Sequence, residues 1–153
     1  MKMFEIYKEC IKAYEDYKRH KAPRAVIMGE HDNFYFATTN GYNGYFIPKQ
    51  EFLLNVDMIT LGNGATFNLD SFIKNANIAT PATSTNEIRM GGKNNKITYQ
   101  KIKNDNHEEW VEINLLKNFE NSEFRMTDAK FSPIYVYEYD VLCGIVMPCR
   151  LKD

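Results

Sequence analysis

The residues best suited by type to do chemistry are His107, Glu108 and Glu109 in the stretch NDNHEE, with Asp128 further along the chain. An imidazole among carboxylates is the raw material of a general base or a metal site. The spacing carries neither further. No other His or Cys stands at metal-ligand spacing from His107, and His20 and His31 fall at a predicted helix end and in a tight turn. Residues 107–109 read as exposed loop positions. Cys10 lies on an apolar helical stripe, which makes it a core thiol rather than a nucleophile. The sequence holds no G-x-S-x-G, phosphate-binding P-loop or G-x-G-x-x-G, and LGNGA and MGGKNN read as Gly/Asn turns. The expectation is a protein without enzymatic activity, cofactor or metal. The rival is an enzyme centred on His107, Glu108, Glu109 and Asp128.

Composition sets the frame for these residues. The 153 residues, 44% apolar and 25% charged, suit one domain with a substantial core. No window reaches the roughly 18 apolar residues of a membrane span. The first twenty residues carry charges every few positions, unlike a signal peptide. Cys10, Cys143 and Cys149 are scattered, with no Cys-x-x-Cys spacing. They read as reduced, packed thiols of a cytoplasmic protein. The net charge of −1 is unevenly spread: residues 1–24 hold seven Lys/Arg against four Asp/Glu, residues 84–103 five against one, and residues 104–153 five against ten. A protein that binds nucleic acid mainly by neutralising phosphates has a larger basic excess. One basic face beside an acidic remainder is still compatible with these numbers.

The elements follow from periodicity. Met3, Tyr7, Cys10, Tyr14 and Tyr17 recur at steps of four and three, with Ile6 and Ile11 widening the stripe, so residues 3–19 are predicted helical. Three short strands follow, RAVIMGE (24–30), NFYFATT (33–39) and GYFIP (44–48), with a turn signal at Asn40–Gly41. Residues 65–78 read as a strand entering a short helix capped by Asn68 or Asp70. TNEIRM and KITYQKI pair around GGKNN. WVEINLLKNF (110–119) reads as a strand running into a brief helix, and residues 123–129, 133–139 and 142–151 as three closing strands. Segments 50–63 and 78–86 lack pattern and read as linkers or insertions. A strand–helix–three-strand unit recurring two or three times predicts an α+β fold, with antiparallel sheets and helices gathered on one face. The whole chain forms a single domain, with half-modules at about 1–50 and 105–153 and a further half-module or insertion at 51–104.

The last residues, CGIVMPCRLKD, stay apolar where a terminal strand usually becomes polar. Either the last strand is buried to its end, or the tail belongs to a binding surface. Together with YFATTNGYNGYFIP (35–48), the stretch SPIYVYEYDVLCGIVMPCRL (132–151) resembles the bacterial DNA sliding clamp, the β subunit of the replicative polymerase. That family carries an Ala-Thr-Asp-Gly turn after a strand and ends on Val-Met-Pro-Met-Arg-Leu. Thr39, Asn40 and Gly41, then Val146, Met147, Pro148, Cys149, Arg150 and Leu151, hold the corresponding places. Asn114, Leu115, Leu116, Ser132 and Pro133 also match the family's last half-module. The likeness covers most of residues 1–50 and 84–151 in pattern and about a dozen positions in identity.

What the resemblance implies is a clamp-like fold and a processivity or tethering role in DNA replication or repair. In the family, the two stretches meet in a hydrophobic pocket for short peptides of polymerases and other replication factors. Carried over, Thr39, Gly41, Tyr42, Val146, Met147, Pro148, Cys149, Arg150 and Leu151 would form that groove. Met would adapt to varied ligands, and Arg150 would hold a polar group or brace the tail. Lys8, Lys12, Lys18, Arg19, Lys21 and Arg24, on and after the first helix, would face DNA through weak, sequence-independent contacts. Self-assembly into a homo-oligomer is one implication. With room for one to one and a half clamp domains where the family's subunit has three, a ring would need more copies than the usual two, or the chain makes no ring. Four departures stand out: that length, Asn40 in place of the turn's acid, Tyr42-Asn43-Gly44 in place of His-Arg-Leu, and Cys149 in place of methionine. The alternative is a clamp-fold partner or modulator that does not encircle DNA.

Overall fold

The computed structural model describes residues 1–19, 26–54 and 69–152. Within them are two α-helices, α1 (Met3–Lys18) and α2 (Leu69–Ile78), and nine strands. The strands are β1 (Ile27–His31), β2 (Phe34–Thr38), β3 (Asn43–Pro48), β4 (Thr80–Gly91), β5 (Ile97–Lys103), β6 (Glu108–Glu112), β7 (Glu123–Met126), β8 (Ile134–Glu138) and β9 (Val141–Val146). The fold is α+β: the strands form one nine-stranded sheet in the order β1-β2-β3-β9-β8-β7-β4-β5-β6, and every neighbouring pair is antiparallel.

The first helix follows its predicted stripe. Ile6 and Cys10 are buried, Glu5 sits in the first turn and Lys18 in the last, the arrangement the helix dipole favours. Asn68, one of the two predicted caps of α2, lies outside the described residues. Residues 80–86, read from sequence as a linker, are instead the first half of the twelve-residue β4. Their pattern is faint because one strand serves two pairings. Residues 80–82 pair with β7 and residues 83–91 with β5, and the register breaks between Ser84 and Ile88. A bulge of this kind bends a strand and lets it leave one layer for another.

The expectation that the helices share one face is overturned. On β2 and β3, Phe36 and Phe46 point to one side, where they pack with Leu69, Phe72, Ile73 and Ala76 of α2. Their neighbours Ala37, Tyr45 and Ile47 point to the other, where they pack with Ile6 and Cys10 of α1. Side chains alternate along a strand, so α1 and α2 flank the sheet on opposite faces. Both faces of β2, β3, β8 and β9 are therefore covered, which explains their continuous apolar runs.

The far end of the sheet curls. Beyond β7, the ribbon β4-β5-β6 turns back until Trp110 of β6 lies opposite Cys149 of the tail that follows β9, and the Cys149 N–H donates to the Trp110 carbonyl at 2.7 Å. The space enclosed holds Ala82, Ile102, Val111, Met126, Ile134, Val136 and Val146. The α+β antiparallel architecture holds, while the recurring strand–helix–three-strand unit does not emerge as a regular repeat. A helix followed by antiparallel strands occurs in α1–β1–β2–β3 and in α2–β4–β5. After β6 the helix shrinks to a single 3-10 turn, Ile113–Leu116, before β7–β9. The first and last thirds of the chain meet where β3 pairs with β9.

Candidate binding groove

The turn between β2 and β3 is built by two side chains. The Asn40 Oδ1 accepts from the N–H groups of Tyr42 at 2.7 Å and Asn43 at 3.0 Å. Thr38 Oγ1 accepts from the Gly41 N–H at 3.0 Å and donates to the Asn43 carbonyl at 2.6 Å. Gly41 has φ of +77°, a conformation glycine adopts without steric cost. An asparagine in this place keeps the acceptor oxygen that an aspartate would supply, so the departure from the clamp-like turn leaves its hydrogen bonding intact.

The tail is brought to this turn. β9 ends at Val146, opposite Asn43, and the next N–H, that of Met147, donates to the Tyr42 carbonyl at 2.7 Å. Tyr42 is 64% exposed. Met147, Pro148, Cys149 and Leu151 are each half-buried, and Thr39 and Gly41 are partly covered beside them. Beyond Met147 the chain is fixed at several points. Cys149 is bonded to Trp110, the Arg150 guanidinium lies 4.5 Å from the centre of the Phe131 ring, and Arg89 donates to the Lys152 carbonyl at 2.8 Å. Apolar residues persist here because the tail lies against β6 and β4 instead of fraying into water.

One groove assignment is corrected. Val146 is 0% exposed and belongs to the core inside the curled ribbon, so it cannot touch a ligand. Met147 points the other way, against the core beneath α2. Arg150 makes no ion pair among the described residues; its role in bracing the tail falls to the Phe131 ring. The sequence reading missed Phe131 and Trp110. Both are aromatic residues in polar surroundings, and that pattern was the only signal for them.

A buried polar network ties β3 to α1. Asn43 Nδ2 donates to the Tyr45 hydroxyl at 3.1 Å and to the Leu115 carbonyl at 2.9 Å. Asn118 Nδ2 donates to the same hydroxyl and to Glu9 of α1, at 3.1 and 3.0 Å. Burial pushes the Tyr45 phenol up to about 12, so it remains a hydroxyl.

The residues assigned to DNA are dispersed. Lys8, Lys12, Lys18 and Arg19 are exposed on α1, while Lys21 and Arg24 lie outside the described residues. Lys8 stands 3.4 Å from Glu5 and over the Phe4 ring, and Lys18 stands over Tyr14. Exposed Glu5 and Glu15 interrupt the row. With α2 on the opposite face, the two helices do not combine into one basic surface.

The rival catalytic set is only partly assembled, and of residues 107–109, expected to be exposed, only Glu108 is; His107 is half-buried and Glu109 buried. Its carboxylate is buried, 2.6 Å from His107 Nε2, and accepts the Phe131 N–H at 2.6 Å. Asp128 accepts from Asn104 and Asn106. Glu108 turns away to Lys101, which it shares with Glu87. His107, Glu109 and Asp128, with Asn104 and Asn106, hold loops 104–107 and 127–132 together, the arrangement expected of a structural staple. Among the described residues no group of three His, Cys, Asp or Glu could hold a metal ion, and no helix is long and apolar enough to cross a membrane. Comparison with protein-family models, with curated proteins and with solved structures gave no match.

Proposed function

We propose that this chain is a non-enzymatic tethering protein of sliding-clamp type, serving DNA replication or repair. Its groove between residues 39–42 and 147–151 takes short apolar peptides from polymerases or other clamp-binding proteins. The observation that carries the reading is the hydrogen bond from the Met147 N–H to the Tyr42 carbonyl. It joins the two stretches that the clamp resemblance requires to meet, though they lie at opposite ends of the chain. Exposed Tyr42 and half-buried Met147, Pro148 and Leu151 give such a peptide apolar surface, and Met offers an adaptable contact. The test is a fluorescence titration with a labelled peptide from a bacterial replicative polymerase. Saturable binding that is lost on replacing Tyr42 or Met147 supports the reading, and no binding by a folded protein refutes it.

A second reading concerns the ring. A ring that lines its hole with helices needs them on one side of its sheets, whereas α1 and α2 lie on opposite faces. This favours a clamp-fold binding protein or clamp modulator that does not encircle DNA. Solution mass measured with and without nicked circular DNA separates the two. A closed oligomer that stays on circles and slides off linear DNA means a ring; a monomer that ignores topology means the modulator.

A further inference from the structure

Away from the groove, a cleft of about 620 Å³ opens between β5 and the 3-10 turn after β6. Its apolar wall is made by Ile97, Ile113, Leu116 and Phe119, and Lys96 and Lys117 stand among its lining residues. The apolar surface continues past it. Ile88 and Met90 of β4 pair with Gln100 and Thr98 of β5, share their face, and are 58% and 55% exposed. Sites of a few hundred cubic ångströms with an apolar lining and a few polar groups are typical of small-molecule binding.

The charges select the ligand. Lys96 is exposed and has no ion pair among the described residues. Lys117 faces Glu9 at 3.3 Å; the lysine is exposed and Glu9, half-buried, is also held by Asn118, so the carboxylate keeps a partner if Lys117 turns to a ligand. Glu112 is the single carboxylate among the lining residues, and Glu9 already faces Lys117. Lys96 is therefore the cation that a ligand anion would meet, joined by Lys117 when it exchanges Glu9 for the ligand. We propose that this cleft binds a small amphipathic carboxylate, with its apolar body against Ile97, Leu116 and Phe119 and its carboxylate between Lys96 and Lys117. The site is independent of the peptide groove, and the substitutions that test it leave residues 39–42 and 147–151 untouched.

The experiment titrates the full chain with 8-anilinonaphthalene-1-sulfonate, an anion on an aromatic body, and then displaces it with decanoate, using decanol as the neutral control. Saturable probe binding is expected, with decanoate at least ten times more effective than decanol. Replacing both lysines, K96Q with K117Q, removes the charge-assisted contacts and weakens decanoate roughly tenfold or more. Thr98→Glu, which puts a second carboxylate in the cleft, abolishes displacement. Absence of saturable binding, equal potency of decanol, or unchanged affinity in these variants with a native melting temperature would overturn the proposal.

Discussion

The main-chain N–H of Met147 donates to the carbonyl of Tyr42 at 2.7 Å, one residue beyond the last paired position of β3 and β9. The bond extends the ladder one residue into the tail and joins the exposed Tyr42 to the half-buried Met147 through their main chains. The proposed groove would thus extend from the end of this ladder, and it rests on whatever fixes β3 against β9.

The turn side chain is the first such determinant. Asn40→Ala removes two hydrogen bonds to main-chain N–H groups and is expected to cost about 1–2 kcal/mol, visible as a fall of several degrees in melting temperature. Asn40→Asp keeps the acceptor and should be near neutral. Equal loss in both variants would contradict the role given to Oδ1.

Two glycines provide the flat surface on which the strands meet. A Cβ on Gly144 would lie 2.3 Å from the Phe119 ring and 2.8 Å from the Gly44 carbonyl, and one on Gly44 would lie 2.1 Å from the Phe36 ring. Backbone cannot yield as a flexible side chain can, so Gly144→Ala should destabilise by about 1–3 kcal/mol. Chemical denaturation would read this as a lower midpoint with unchanged slope.

The Glu109 carboxylate holds both His107 and the Phe131 N–H. Glu109→Ala would leave the part-buried Phe131 N–H and His107 without their acceptor and should cost about 1–3 kcal/mol. His107→Ala should leave peptide binding unchanged. Loss of a chemical activity in His107→Ala at native stability would instead support the catalytic rival.

Burial pushes the Cys10 and Cys143 thiols up to about 12, from an ordinary 9.0, and the Tyr45 and Tyr135 phenols up to about 12, from 10.0. Each group holds its proton more tightly when folded. The unfolded chain therefore releases protons first, and stability falls as pH rises from about 9 towards 12. Urea midpoints should decline steadily across that window and respond little between pH 6 and 8 to these four groups. Iodoacetamide should label half-buried Cys149 in the native protein, and Cys10 and Cys143 only after unfolding.

The elements with local signals were legible from sequence. The α1 stripe, the Asn40–Gly41 turn and the GGKNN turn joining β4 to β5 appear within a residue or two of their expected places, though β4 begins five residues earlier than its TNEIRM signal. Three features were not. Periodicity reports that Phe36 and Ala37 face opposite ways, but which helix covers each is a long-range matter, and hence the helices were misplaced on one face. Val146 was assigned to the groove because a motif gives residue order without the inward or outward sense of each side chain. Glu109 read as exposed because its partners, His107 aside, come from a loop some twenty residues away.

The most direct test of the groove is a peptide titration on the wild-type chain, Tyr42→Ala and Met147→Ala, each checked for a native melting transition. With a labelled peptide from a bacterial replicative polymerase, wild type should bind saturably and each substitution should weaken binding roughly tenfold, as expected for loss of a buried apolar contact. Wild-type affinity in both variants, or no binding by the folded wild-type chain, would contradict the clamp-type groove.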